Sequence, residues 1–349
     1  MKRALAGALV LLIAALAGAE APDAGIRFPA DYGSHPGWRT EWWYVTGWLQ
    51  TRAGESLGFQ VTFFRTRPGL ADDNPSAFAP RQLIIAHAAL SDAARGRLYQ
   101  DQRVQRAAFG LAGAAPDTTR VWIDDWNLRA ESGRYTTLIS GQDFTLSLRL
   151  TPSQPPLRNG VAGLSRKGAA AAATSWYYSE PHLAVSGTVV RAGHRDEVTG
   201  VAWLDHEWSN EYLEPDAVGW DWIGINLGDG GALMAFRIRG ADGAARWAGA
   251  TLRRADGSEQ AFGPGEVEFI PGRVWTSPRT AIRYPVQWRV RVGTAQWTLQ
   301  PLLDDQESDT RLSSGTIYWE GAVRALDGTT PVGRGYLELT GYGDRLKLP

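Results

Sequence analysis

The sequence predicts an all-β fold: two antiparallel β-barrels in tandem, related by a pseudo-two-fold repeat. Three observations carry that expectation. Short runs rich in aromatic and β-branched residues follow one another, no long stretch keeps a helical period, and the runs of the first half have counterparts in the second. Residues 41–50, 57–66, 82–90 and 144–150 read as strands, separated by turn pairs such as Ala53-Gly54 and Arg95-Gly96. In the last of them Phe144, Leu146, Leu148 and Leu150 alternate with Thr145, Ser147 and Arg149, giving one apolar and one polar face. The Ala-rich residues 168–173 are flanked by Gly and Thr and read as a linker.

The repeat places Trp42-Trp43-Tyr44-Val45 beside Trp220-Asp221-Trp222-Ile223, each followed by a second strand that starts at Gly58 or Gly231. The ends of the halves pair His182-Leu183-Ala184-Val185-Ser186-Gly187 with Tyr336-Leu337-Glu338-Leu339-Thr340-Gly341. About eight strands per half fit the length, and closing each sheet removes its exposed edges while leaving room inside for a small ligand; one long sandwich is the alternative. The expected divisions are a signal peptide over residues 1–19, a first domain over 20–195 and a second over 196–349. Lys2 and Arg3 precede an apolar run that ends in Ala17-Gly18-Ala19, the pattern of a cleaved export signal, so a periplasmic location is expected. That run is shorter than the roughly 20 apolar residues of a spanning helix, and no later segment is long and apolar enough to span as one.

Composition narrows the function classes. A net charge of −1 with interspersed signs argues against nucleic acid as a partner. With no Cys, the fold has no disulfide, and cohesion falls to core packing. His35, His87, His182, His194 and His206 show no metal-ligand spacing, so neither a metal nor a cofactor is expected. The acidic residues 304–307 read as a solvated loop, with cation binding as the alternative. Sixteen Trp, eleven Tyr and ten Phe suit both a large β-core and an apolar ligand site.

The densest polar string is Trp203-Leu204-Asp205-His206-Glu207-Trp208-Ser209. On a strand, Asp205, Glu207 and Ser209 point one way while Leu204, His206 and Trp208 point the other. Two carboxylates on one face raise each other's pKa and could work as acid and base; the same string could be a hydrogen-bonded knot that ties the barrels together. Trp42, Tyr44, Trp176, Tyr178, Trp203, Trp208, Trp220 and Trp222 are candidates to line a ligand site.

Several strings together resemble one family: Gly33-Ser34-His35-Pro36, Thr40-Glu41-Trp42-Trp43-Tyr44, Gly58-Phe59-Gln60, Ser175-Trp176-Tyr177-Tyr178-Ser179, the string around Asp205, and Tyr318-Trp319-Glu320-Gly321. The sequence is similar to the AttH-like proteins, grouped with the carotenoid 1,2-hydratases (hydroxyneurosporene synthases). The resemblance implies two lipocalin-like barrels. It also implies either an accessory role beside an ABC transporter permease or addition of water to an isoprenoid double bond. Asp205 matches the aspartate proposed as catalytic in the hydratases, with Glu207 and His206 as accessories. Where the hydratase pattern has Tyr, this chain has Trp203; where it has an upstream His and Trp, this chain has Trp176 and Tyr178. The rings are kept and the His is not. The leading expectation is therefore a periplasmic carrier of a lipid or isoprenoid, and the alternative is a hydratase with Asp205 as general acid.

Overall fold

Two large antiparallel sheets, each built outward from its own first strand, and a two-stranded ribbon of Val274–Thr276 and Arg283–Pro285 make up the computed structural model, which describes residues 25–69, 73–76 and 78–346. The expected signal peptide lies outside the described residues. In the first sheet Thr40–Thr51 is central. Ser56–Thr66, Leu83–Asp92 and Arg97–Arg106 extend it on one side. On the other lie His194–Glu211, Thr174–Arg191 and Phe144–Thr151, then shorter strands ending at Ala112–Ala114. The second sheet repeats that order around Ala217–Leu227. Ala232–Gly240, Ala245–Arg253 and Glu259–Phe262 lie on one side; Thr330–Leu339, Thr316–Asp327 and Ala295–Pro301 begin the other. The sheets hold 13 and 10 strands, more than the eight expected of each, because short edge strands are added.

The first sheet curls until its ends meet. Arg103 donates from Nη1 to Asp125 Oδ1 at 2.6 Å and from Nη2 to Ser140 O at 3.2 Å, so the end strand Arg97–Arg106 is sewn to the opposite end. The second sheet curls over its own core, with Arg237 over the Trp288 ring at 4.8 Å. Among the described residues no helix is long and apolar enough to cross a membrane.

Two expectations change. The last strands of the halves correspond as His194–Glu211 to Thr330–Leu339, because each of these, not Thr174–Arg191, pairs with the first strand of its sheet. The expected boundary at residue 196 falls inside His194–Glu211, whose strand pairings are both within the first sheet. The chain passes to the second sheet between Glu211 and Ala217.

Three cores follow from the pleat. Trp43, Val45 and Leu49 point into the first barrel; their alternates Trp42, Tyr44 and Trp48 point at the second sheet. Eleven of the twelve residues of Thr40–Thr51 are buried, which is why its sequence lacks the apolar–polar alternation of a strand with one wet face. Between the sheets, Trp48 Nε1 donates to Gly335 O at 3.0 Å and Asn226 Nδ2 to Ala202 O at 3.2 Å. Ser91 Oγ donates to Gln306 Oε1 at 2.7 Å. Gly58 permits this close approach: a Cβ there would lie 2.7 Å from Ala322 Cβ and 3.0 Å from Tyr336 Oη. We predict that Gly58→Ala destabilises the protein by about 1–3 kcal/mol in urea titration, the cost of overpacking a rigid contact.

Candidate functional site

Between the sheets, where those second faces fail to close, lies a cleft of about 890 Å³ of empty space, its open mouth included. The first barrel's interior is filled by its own core, so the open space lies between the halves. Trp42 and Trp220 stack at 6.5 Å between ring centres across the cleft, and Tyr44 meets Trp222 edge-on at 5.2 Å. Each pair joins corresponding positions of the two repeats, so the cleft straddles the pseudo-two-fold axis.

Asp205 forms part of the wall from the strand His194–Glu211. Its Oδ1 accepts from Ser179 Oγ at 2.5 Å and from Trp203 Nε1 at 2.6 Å; its Oδ2 accepts from Tyr177 Oη at 2.6 Å. Tyr177 in turn accepts from Trp222 Nε1 at 2.9 Å, which joins the acid to the second sheet. No basic side chain forms an ion pair with Asp205 among the described residues. Burial pushes its pKa up to about 7, against the three donors, and the nearby Glu207 charge adds to the rise. Glu207 accepts from Ser175 Oγ and pairs with Lys167 Nζ at 2.8 Å. Lys167 is itself buried, with Nζ 4.1 Å from the Phe236 ring centre, and burial lowers its pKa.

The second sheet contributes Glu320 and Glu338, opposite one another in register. Burial and the charge of Glu338 hold Glu320 well above the usual carboxylate range. Burial also lifts Glu338 to about 7, while Trp220 Nε1 donates to its Oε2 at 3.0 Å. Register places Asp205 beside Tyr44, and Glu338 beside Trp222, so Asp205 and Glu338 are equivalent positions of the repeat.

Of the sequence candidates, Trp42, Tyr44, Asp205, Glu207, Trp220 and Trp222 line the cleft. Trp203 lies behind Asp205 as a hydrogen-bond donor. Four others are corrected. Trp176, Tyr178, His206 and Trp208 sit on the opposite face of their strands, against the first barrel's core, because a one-residue step in a strand reverses the side chain. His206 Nε2 is 2.8 Å from Glu41 Oε1 and His35 Nδ1 is 2.8 Å from the same oxygen, while Arg65 Nε donates to Glu41 Oε2 at 2.7 Å. His35, Glu41 and His206 come within metal-binding distance of one another, but the guanidinium already supplies the cluster's cation. The acidic residues 304–307 are likewise engaged: Arg273 pairs with Asp304, Arg279 with Asp305, and Ser277 donates to Glu307.

Tyr177, Ser179, Lys167, Glu320 and Glu338 were not among the sequence candidates. Tyr177 and Ser179 were readable from parity once the strand Thr174–Arg191 is set beside Asp205, since Ser179 pairs with it in register. Lys167 belongs to no motif and precedes the Ala-rich linker.

The buried groups set the pH dependence of stability. Asp205, Glu338 and Glu180, each at about 7, keep their protons in the folded state between about pH 4 and 7, where the unfolded chain loses them. Folding is therefore favoured at the acid end of that window, and the advantage fades as pH rises through 7. His87, lowered by burial to about 3, and His206, also lowered, act the opposite way below about 6.5. Three raised acids, with Glu320 as a fourth, outweigh two depressed imidazoles. We expect a higher melting temperature at pH 5 than at pH 8 in a calorimetric scan.

Fold and site together define a tandem lipocalin-like β-protein whose halves enclose an aromatic, carboxylate-bearing cleft. The chain belongs to the AttH-like family, whose sequence profile matches residues 19–342. An AttH candidate from Nitrosomonas europaea is 54% identical, with a TM-score of 0.88 over 93% of this chain and 98% of that one. Kievitone hydratase from Nectria haematococca has a TM-score of 0.70 at 16% identity, covering 92% of this chain and 94% of its own. CghA has a TM-score of 0.53 at 13% identity, covering 93% and 96%. The last two likenesses are of fold alone. Comparison with curated proteins gave no match.

Proposed function

We propose that this protein is a hydratase-class enzyme that adds water to a carbon–carbon double bond of an apolar, isoprenoid-like substrate, with Asp205 as general acid. The observation that carries this reading is a carboxyl group with no ion-pair partner, half-protonated near pH 7, in the wall of an aromatic cleft. A purely structural knot would be expected to pair that carboxylate with a cation and leave no space beside it. Kievitone hydratase, a hydratase by name, has the same fold and so lends the class some support.

Asp205 gives its proton to the less substituted alkene carbon, and the tertiary carbocation forms at the other. Trp42, Tyr44 and Trp222 present π-faces or edges to the cleft, and a desolvated face contributes up to about 2 kcal/mol to a cation. Water then bonds through oxygen to the cationic carbon and returns one proton to the Asp205 carboxylate, so the net change is one H₂O added. Tyr177, Ser179 and Trp203 stabilise the carboxylate while it is ionised. Run in D₂O with an acyclic isoprenoid alkene, the reaction should leave one C–D bond on the protonated carbon, read by mass spectrometry. An unlabelled, unchanged alkene would refute the reading.

A second reading is carriage of a lipid or isoprenoid, which the same aromatic lining favours. In that form the expected export signal and an ABC permease partner become proposals of location and handover. Co-purification of a lipid with protein that turns over no alkene would favour it.

A further inference from the structure

The second-sheet end of the cleft carries a feature that hydration does not use. Glu320 and Glu338 face each other in register, and neither forms an ion pair among the described residues. Glu320 is 2% exposed and lines the cleft, and its Oε1 has no donor in full hydrogen-bond geometry; the Tyr44 and Tyr318 hydroxyls stand beside the carboxyl and hold it only loosely. Native structures rarely leave a buried carboxyl oxygen so loosely held, so Glu320 points to something the cleft receives. The charge balance says what kind of group. Of the charged side chains lining the cleft, Asp205, Glu207, Glu320 and Glu338 are acidic, and the one cation, Lys167, is taken up by Glu207. Around the uncompensated pair stand Trp220, Trp222, Tyr44 and Tyr318, a ring set that suits a desolvated organic cation.

We propose that the Glu320–Glu338 end of the cleft binds a hydrophobic organic cation, a tertiary or quaternary ammonium group, with the carboxylates as counter-ions and the surrounding rings as a cage. The site lies in the same cleft as Asp205 but does not rest on the hydration reading. Burial raises both carboxyls, with the Glu338 charge adding to the rise of Glu320 and the Glu207 charge to that of Glu338, so both favour their protonated forms more than a free carboxyl does. An arriving cation reverses that preference, so binding should release protons.

The test is calorimetric titration of the full chain with benzyltrimethylammonium and, separately, with its uncharged carbon isostere neopentylbenzene. The ammonium should bind at least about tenfold more tightly, and either Glu320→Gln or Glu338→Gln should remove at least about tenfold of its affinity while leaving the isostere unchanged. Titrations in buffers of different ionisation enthalpy should show proton release on ammonium binding. Should one Gln variant lose its near-UV circular dichroism, the other variant and the wild-type proton release still decide. Equal affinity for the two probes, or ammonium binding without proton release and indifferent to both substitutions, overturns the proposal. Asp205→Asn should leave ammonium binding in place, so failure of the hydration reading and failure of this one give different results.

Discussion

Asp205→Asn should lower kcat for alkene hydration by about 10²–10⁴-fold, the usual worth of a positioned general acid, while KM changes little. The fold should survive because the amide can be accommodated. Its oxygen takes the Oδ1 position and accepts from Trp203 Nε1 and Ser179, while its NH₂ donates to Tyr177 Oη, which already accepts from Trp222 Nε1 and must turn its own proton toward the cleft. Activity of the wild type should fall as pH rises above about 7, since the protonated form of Asp205 does the work. In the variant the fall in melting temperature between pH 5 and pH 8 should shrink, because one raised acid has gone. Steady-state kinetics with the isoprenoid substrate checks the first claim, and kcat close to wild type would remove Asp205 from the mechanism.

Glu41→Ala should cost about 3–5 kcal/mol of folding stability, the effect of stranding one member of a buried ion pair. Glu41 and Arg65 are both fully buried. The carboxylate accepts from Arg65 Nε, from the His35 backbone N–H and from both imidazoles, and these partners outweigh burial to hold it well below the usual carboxylate range. Without it the guanidinium keeps only the carbonyls of His35 and Trp38. Urea titration should show a lower midpoint with an unchanged slope. A double change of Glu41 to Leu and Arg65 to Met should recover much of the loss, since removing both charges strands neither.

The strands, the all-β class and the repeat were legible because β-rich runs and their spacing are written locally. Six of the cleft residues were legible for a related reason: Trp42 and Tyr44 share parity, as do Asp205 and Glu207, and Trp220 and Trp222. Which face of a strand meets the cleft is harder to read where both faces are buried. In Thr174–Arg191, Tyr177 and Tyr178 are both aromatic and almost fully buried, so polarity gives no clue that Tyr177 holds Asp205 while Tyr178 meets His206. That the cavity forms between the sheets depends on how two aromatic faces meet, which a strand pattern does not encode. Glu338 stood inside a repeat string and Glu320 inside a family string, yet pairing the wrong terminal strands hid the equivalence of Glu338 with Asp205.

The doubly buried strand Thr40–Thr51 also constrains the order in which the molecule can assemble. It emerges early from the ribosome, but its barrel-side pairing waits for residue 209, and Trp48 meets its acceptor only when Gly335 has been made. Contacts this distant in sequence give a high contact order and slow folding. A chain halted after Glu211 would hold a finished sheet whose Trp42, Tyr44, Trp48 and Trp203 face water, an aggregation-prone nascent state. Shielding that first face until nearly the last strand arrives is therefore expected to raise the yield of folded protein.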